Sequence, residues 1–196
     1  MGTSTIALLV HGSRNIVGVD IDTERIERGR TILATTPYRS SVRLLAVPDT
    51  RALPFEDGAF RFALANAVIE HIPQPRDAHL RELWRVVAPR GHLMISETPN
   101  KYVPKDIHTT GLWFNQWLPK LLAYRRALQR GRFEPHRTDW DSSGWRGAGY
   151  YEVAPQLAGA VLIPEQERLR HRLFARLGIP ASILDPYPIW VFQKLR

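Results

Sequence analysis

Cysteine is absent from this 196-residue chain. That excludes disulfides and thiolate metal sites. Long apolar runs are absent too, and none reaches the ~18 residues a membrane-spanning helix needs. The first apolar run, Thr5 to Val10, is short and has no basic flank, so it does not read as a secretory leader. A cytoplasmic location is the expectation. Internal repeats and low-complexity segments are also missing.

Positive charge is present but unevenly spread. Residues 1–100 carry 12 Lys/Arg against 11 Asp/Glu, and residues 101–196 carry 15 against 8, out of a total of +8. A basic half could serve nucleic acid, an anionic membrane or an acidic substrate. Its arginines are interspersed with apolar residues and form no dense block, which favours a solvated surface. With 44% hydrophobic and 23% charged residues, the chain suits one folded domain with room for a small lobe.

The residues alternate between strand and helix signals. Gly2 to Gly12 reads as a helix with Ile6, Leu9 and Val10 on one face and Gly12 as its stop. Asn15 to Val19 reads as a strand ending on Asp20. Thr23 can cap the next helix, with Ile26 and the Leu33 region inward and Asp22 as a turn or cap residue. Val42 to Val47 is a second strand. Such alternation predicts an α/β fold with a parallel sheet.

The most informative stretch runs from Asp49 to Asn100. Phe60 to Ala65 is a short apolar run, the pattern of a strand covered on both faces. Leu80, Leu83, Trp84 and Val87 recur at helical steps, Pro89 and Gly91 read as the helix stop, and Leu93 to Ile95 opens another strand. Polar residues gather past the strand ends: Asn66, Glu70 and His71 after one, Glu97 and Asn100 after the other. In open α/β sheets, ligands bind at these ends.

Asp49-x-x-x-Leu53-Pro54-Phe55-x-Asp57-x-x-Phe60, then Glu70-His71, then Arg85-Val86-x-x-Pro89-x-Gly91, is similar to the class I methyltransferases that use S-adenosylmethionine, in particular their small-molecule branch. Two positions depart from the pattern: Arg61 stands where that family usually has Asp, and Arg90 replaces a Gly. The resemblance implies a Rossmann-like sheet with helices on both faces. It also implies cofactor contacts at Gly2, Asp20, Ile21, Asp49, Thr50 and Asn66. Asp20 would accept from the ribose hydroxyls and Ile21 would pack on adenine. Asp49 would accept from the adenine amine, the Thr50 N–H would meet a ring nitrogen, and Asn66 would line the methionine part. The family's first strand and its Gly-x-Gly-x-Gly turn have no counterpart here beyond Gly2, so the chain resembles an N-terminally truncated member.

The resemblance further divides the chain into a cofactor-binding core over 1–100, an acceptor-side lid over 101–150, and a helix and strand over 151–196 that complete the sheet. The lid carries Trp113, Phe114 and Trp117, which read equally as pocket lining for a ring or lipid-like acceptor and as core of a small lobe. Gln166 to Leu177 reads as a helix, and Ile189 to Leu195 as a last strand with Trp190 and Phe192 on one side. His71 and His108 are candidate bases, with a histidine that merely bonds a neighbouring loop as the bland alternative for His71. Some quinone-ring methyltransferases bind a metal through Glu-x-x-Glu-His; Ala67 stands where the first carboxylate belongs, so no metal is expected.

The implied function is methyl transfer from S-adenosylmethionine to an oxygen or nitrogen of a small-molecule acceptor. The alternatives are a non-catalytic remnant or partner subunit of the same fold, and an RNA-modifying or nucleic-acid-binding protein. The last is disfavoured because Asn66-Ala67-Val68-Ile69 lacks the Asn-Pro-Pro-Tyr pattern used for base amines.

Overall fold

Helix α1 (Thr3–Val10) ends where the glycine signal predicts. Gly12 adopts φ 85°, its N–H bonds the Leu9 carbonyl, and the Ser13 N–H bonds that of Leu8. This pair of bonds satisfies carbonyls the helix would otherwise orphan, and only glycine enters that backbone region without steric cost. The structure, a computed structural model, describes residues 3–163 and 185–196. Gly2 and the predicted helix Gln166 to Leu177 lie outside the described residues.

The chain forms two compact units, residues 1–54 and 55–196. In the first, β1 (Ile16–Asp20) pairs in parallel with β2 (Val42–Ala46), and α2 (Thr23–Ala34) connects them. The cap of α2 is Asp22, not Thr23: its carboxylate accepts the Arg25 N–H at 3.0 Å. Asp22 is extended (φ −83°, ψ 100°), as a cap must be, whereas Thr23 already has helical backbone. Leu9, Ile26, Val42 and Leu44 form the buried core of this unit, with Ile16 and Leu33 against it.

In the second unit, β3 (Phe60–Asn66), β4 (Val87–Ser96), β5 (Ala160–Leu162) and β6 (Trp190–Lys194) form a sheet in the order β3-β4-β6-β5. β3 and β4 are parallel; β6 runs antiparallel to both its neighbours. Helix α3 (Asp77–Arg85) brings Leu80 and Trp84 onto Leu93, Ile95, Trp190 and Phe192. The expected one-sided pair Trp190 and Phe192 is thus buried.

Two details differ from the sequence expectations. Pro89 and Gly91 do not stop α3, which ends at Arg85; they lie inside β4. The pairing jumps from Phe60↔Val87 to Phe62↔His92, so the intervening residues bulge out. Arg90, in the place of a glycine, takes φ 63° there. β3 is also not covered on both faces, since Phe62 stays 44% exposed beside the bulge, where β4 diverges from it.

The segment after β4 has its own core. Helix α4 (Lys120–Gln129) buries Ala123 and Ala127 against Phe133, Trp140 and Trp145. Trp140 and Trp145 stack at 5.0 Å with 24° between their planes. The short helix α5 (Tyr150–Val153) leads back toward the sheet. Trp113, Phe114 and Trp117, by contrast, are all more than half exposed or at half exposure, so they are not the core of this lobe.

Candidate functional site

Asp20 closes β1, and its carboxylate accepts the Asp22 N–H at 3.0 Å while its carbonyl accepts the Val47 N–H. The turn therefore holds the acid at the carboxyl end of a parallel strand, half-buried, with Ile21 beside it 65% exposed. An acceptor beside an accessible apolar side chain can receive a hydroxylated ring and the flat base attached to it. Asp49 and Thr50 follow β2 in the same unit. The Asp49 carboxylate accepts the Arg51 N–H at 2.8 Å and is gripped by the Arg51 guanidinium at 2.6–3.0 Å. Arg51 is thereby held in its charged form by its hydrogen bond to Asp49. Any donor arriving at this carboxylate must share or displace that arginine, which the sequence did not signal.

Asn66 ends β3 in the second unit, opposite Ser96, whose hydroxyl donates to the Asn66 side-chain oxygen at 2.8 Å. A left-handed Ala67 (φ 51°) turns the chain from this strand into a one-turn helix, Ile69–His71. Glu70 is completely buried there. Its Oε2 accepts the Thr98 hydroxyl at 2.9 Å, and its Oε1 has no hydrogen-bond partner. His71 is about half exposed, with Nδ1 2.7 Å from the Ser142 carbonyl and Nε2 3.8 Å from Glu70 Oε1. The His71 and His108 rings lie 5.5 Å apart. The two histidines singled out from the sequence thus meet, and one ligand atom from each of Glu70, His71 and His108 lies within 4.8 Å of the other two.

The surroundings hold this group from three sides. Asp106, buried, accepts from the N–H groups of Thr109 and Thr110 and from the Thr110 hydroxyl, fixing the turn that carries His108. Thr109 Oγ1 donates to the Ser143 carbonyl. Buried Arg76 donates to the carbonyls of Ile72, Gly147 and Glu70 and to the Glu152 carboxylate. Burial lowers the Arg76 pKa, and Glu152 counters it. Tyr187 is pushed up first by burial and then by the charges of Glu70, Glu97 and Asp106, so its hydroxyl stays protonated near this acidic group. A cavity of about 210 Å³ opens beside Glu70, lined also by Arg76, Lys120, Trp145 and Arg146. Sequence reasoning missed Thr98, Ser142 and Arg76 as partners; only the Gly- and Ser-rich composition around Ser142 hinted at an irregular loop.

Residues 1–95 match the family described as "Methyltransferase domain". Solved structures of S-adenosylmethionine-dependent methyltransferases share the fold. That of Mesorhizobium loti superposes with a TM-score of 0.59 at 16% identity, over 98% of this chain and 86% of the other. The first 95 residues, just under half of the chain, thus match that methyltransferase family, and the fold is one that S-adenosylmethionine-dependent methyltransferases use. Among curated methyltransferases, it is 32% identical over 126 residues to the ubiquinone/menaquinone biosynthesis C-methyltransferase UbiE of Geobacter sp. strain M21. That alignment covers 61% of this chain and 52% of the relative. It is 27% identical over 174 residues to the demethylmenaquinone methyltransferase of Desulfitobacterium hafniense, covering 89% of this chain and 59% of that one. The chain thus spans about half the length of the curated relatives it matches. The cofactor of this methyltransferase family is S-adenosylmethionine. Among the described residues no helix is long and apolar enough to cross a membrane.

Proposed function

We propose that this chain transfers a methyl group from S-adenosylmethionine to a nucleophilic atom of a small ring-bearing acceptor. The observation that carries the reading is Asp20 at the carboxyl end of β1, with exposed Ile21 next to it, inside the segment that matches the methyltransferase family. In this reading Asp20 holds the ribose, Ile21 packs on adenine, and Asp49 and Thr50 recognise the base edge. Gly2 and Asn66 complete the cofactor contacts, and residues 101–150 form a lid over the acceptor side.

The sulfonium is already activated, and its leaving group is a neutral thioether. The protein has to align the two reactants and exclude water. His71 serves the acceptor side by taking a proton from a ring hydroxyl, with His108 as second candidate. A phenolate so formed is nucleophilic at oxygen and at the neighbouring ring carbons. The relatives named for quinone biosynthesis support a ring acceptor of this type.

Calorimetric titration with S-adenosylhomocysteine tests the reading. Binding of about micromolar affinity is expected, weakened at least ~100-fold in Asp20→Ala, where two charge-assisted hydrogen bonds are lost. A folded wild-type chain with no affinity, or one that the substitution leaves unchanged, overturns it and favours a non-catalytic member of the fold.

A further inference from the structure

We propose that Glu70, His71 and His108 form a site for one divalent cation of the zinc type. The starting point is an unmet acceptor. Glu70 is fully buried, Thr98 supplies a donor to one carboxylate oxygen, and the other has none. Arg76 does not fill the gap, because it donates to carbonyls and to Glu152, and Arg146, which lines the same cavity, does not either, since its Nε and Glu70 Oε1 each lack a hydrogen-bond partner. A buried carboxylate oxygen without a partner is costly.

The imidazole facing it brings a lone pair. The Ser142 carbonyl can only accept, so His71 Nδ1 at 2.7 Å carries the hydrogen. In the neutral ring, Nε2 then presents a lone pair toward Glu70 Oε1, 3.8 Å away. Two acceptors facing each other at that separation call for a cation between them. An Nδ1–H bonded to a backbone carbonyl is also the arrangement that orients metal-ligating histidines.

The third donor comes from His108. One ligand atom from each of the three residues can be chosen so that all lie within 4.8 Å of one another. Metal bonds of about 2.0–2.2 Å bring ligand atoms to roughly 3–4 Å apart, so closure requires the widest separation to shrink by roughly 1–2 Å. The space is kept open by Gly144: a Cβ there would lie 2.8 Å from the His108 ring and 3.1 Å from Glu70 Cγ. The expectation of no metal weighed only the segment from Ala67 to His71, and His108 lies outside it. Two imidazoles and one carboxylate suit zinc, whereas magnesium and calcium favour all-oxygen shells. Three protein ligands leave a fourth position for water or an acceptor oxygen.

Cation binding stands apart from methyl transfer. Its use rests on the proposed function: a hydroxyl bound at the open position would be acidified directly, and His71 would act as ligand in place of base.

Zinc titrated calorimetrically into the chelator-stripped full chain tests the site. One zinc per chain is expected, with affinity reduced at least ~10-fold in each of His71→Ala, His108→Ala and Glu70→Gln. Cobalt in place of zinc should give the visible bands of a low-coordinate nitrogen and oxygen site, lost in the same variants. The partly exposed histidines make the test readable even where Glu70→Gln fails to fold. Wild-type binding no tighter than that of both histidine variants assigns the ion to other histidines and overturns the site, as does no binding. S-adenosylhomocysteine affinity on the same samples reads the cofactor site independently.

Discussion

Gly147 shows how one residue can hold the site's geometry. It sits at φ 64°, and a Cβ there would run into the Pro99 carbonyl, a backbone group with no freedom to yield. Its own carbonyl accepts from buried Arg76, and the next N–H, of Ala148, bonds the Pro99 carbonyl. Gly147→Ala should therefore destabilise the protein by about 2–4 kcal/mol through backbone strain and a steric clash. The urea midpoint measures this, and a change below ~1 kcal/mol would show that the loop accommodates a side chain. Site residues were legible to different degrees for physical reasons. Among the candidates, Asp20 was singled out through the resemblance, since a lone Asp after a strand usually only makes a turn, and His71 and His108 as imidazoles able to take a proton. The complete burial of Glu70 and the carbonyl of Ser142 were not, because they arise from contacts between segments some seventy residues apart.

Among the elements, α3 welds its unit through Trp84. The indole is buried against the sheet, its Nε1 donates to the Ala158 carbonyl at 2.8 Å, and the Lys194 ammonium lies 5.4 Å from the ring centroid. Trp84→Ala should cost about 3–5 kcal/mol, while Trp84→Phe keeps most of the packing and loses the hydrogen bond, costing about 1–2 kcal/mol. Comparison of the two denaturation midpoints checks the ordering; equal losses would show that the hydrogen bond, not the packing, dominates. The helix was readable from Leu80 and Trp84 because a three- and four-residue apolar spacing has few other meanings. Its end was misjudged because Pro89 and Gly91 punctuate a bulge as readily as a helix terminus. The loop over 131–149 had no periodicity to read, since its order comes from stacked aromatics.

At the scale of the whole molecule, the two units differ in what they bury. Among the described residues, the first rests on a two-stranded sheet and a buried cluster of Leu9, Ile26, Val42 and Leu44. Among the described residues, the second has a four-stranded sheet and two buried clusters, the larger of which includes Trp190 and Phe192. Two strands with a small apolar face give little independent stability. Amide hydrogens of β1 and β2 should exchange faster than those of β4 and β6 in the free protein. On the proposed cofactor contacts of Asp20 and Asp49, which lie in that unit, S-adenosylhomocysteine should slow the first set more. Equal protection without ligand would contradict this. The α/β class and most strands were visible in the sequence, while the division into two units was not, because it depends on which strands pair. The stacked indoles of Trp140 and Trp145 have an optical consequence. Two chromophores that close and nearly parallel couple their transition dipoles, so their joint circular dichroism reports how this loop is packed. Trp145 also lines the cavity beside Glu70, which places that spectroscopic probe next to the buried carboxylate.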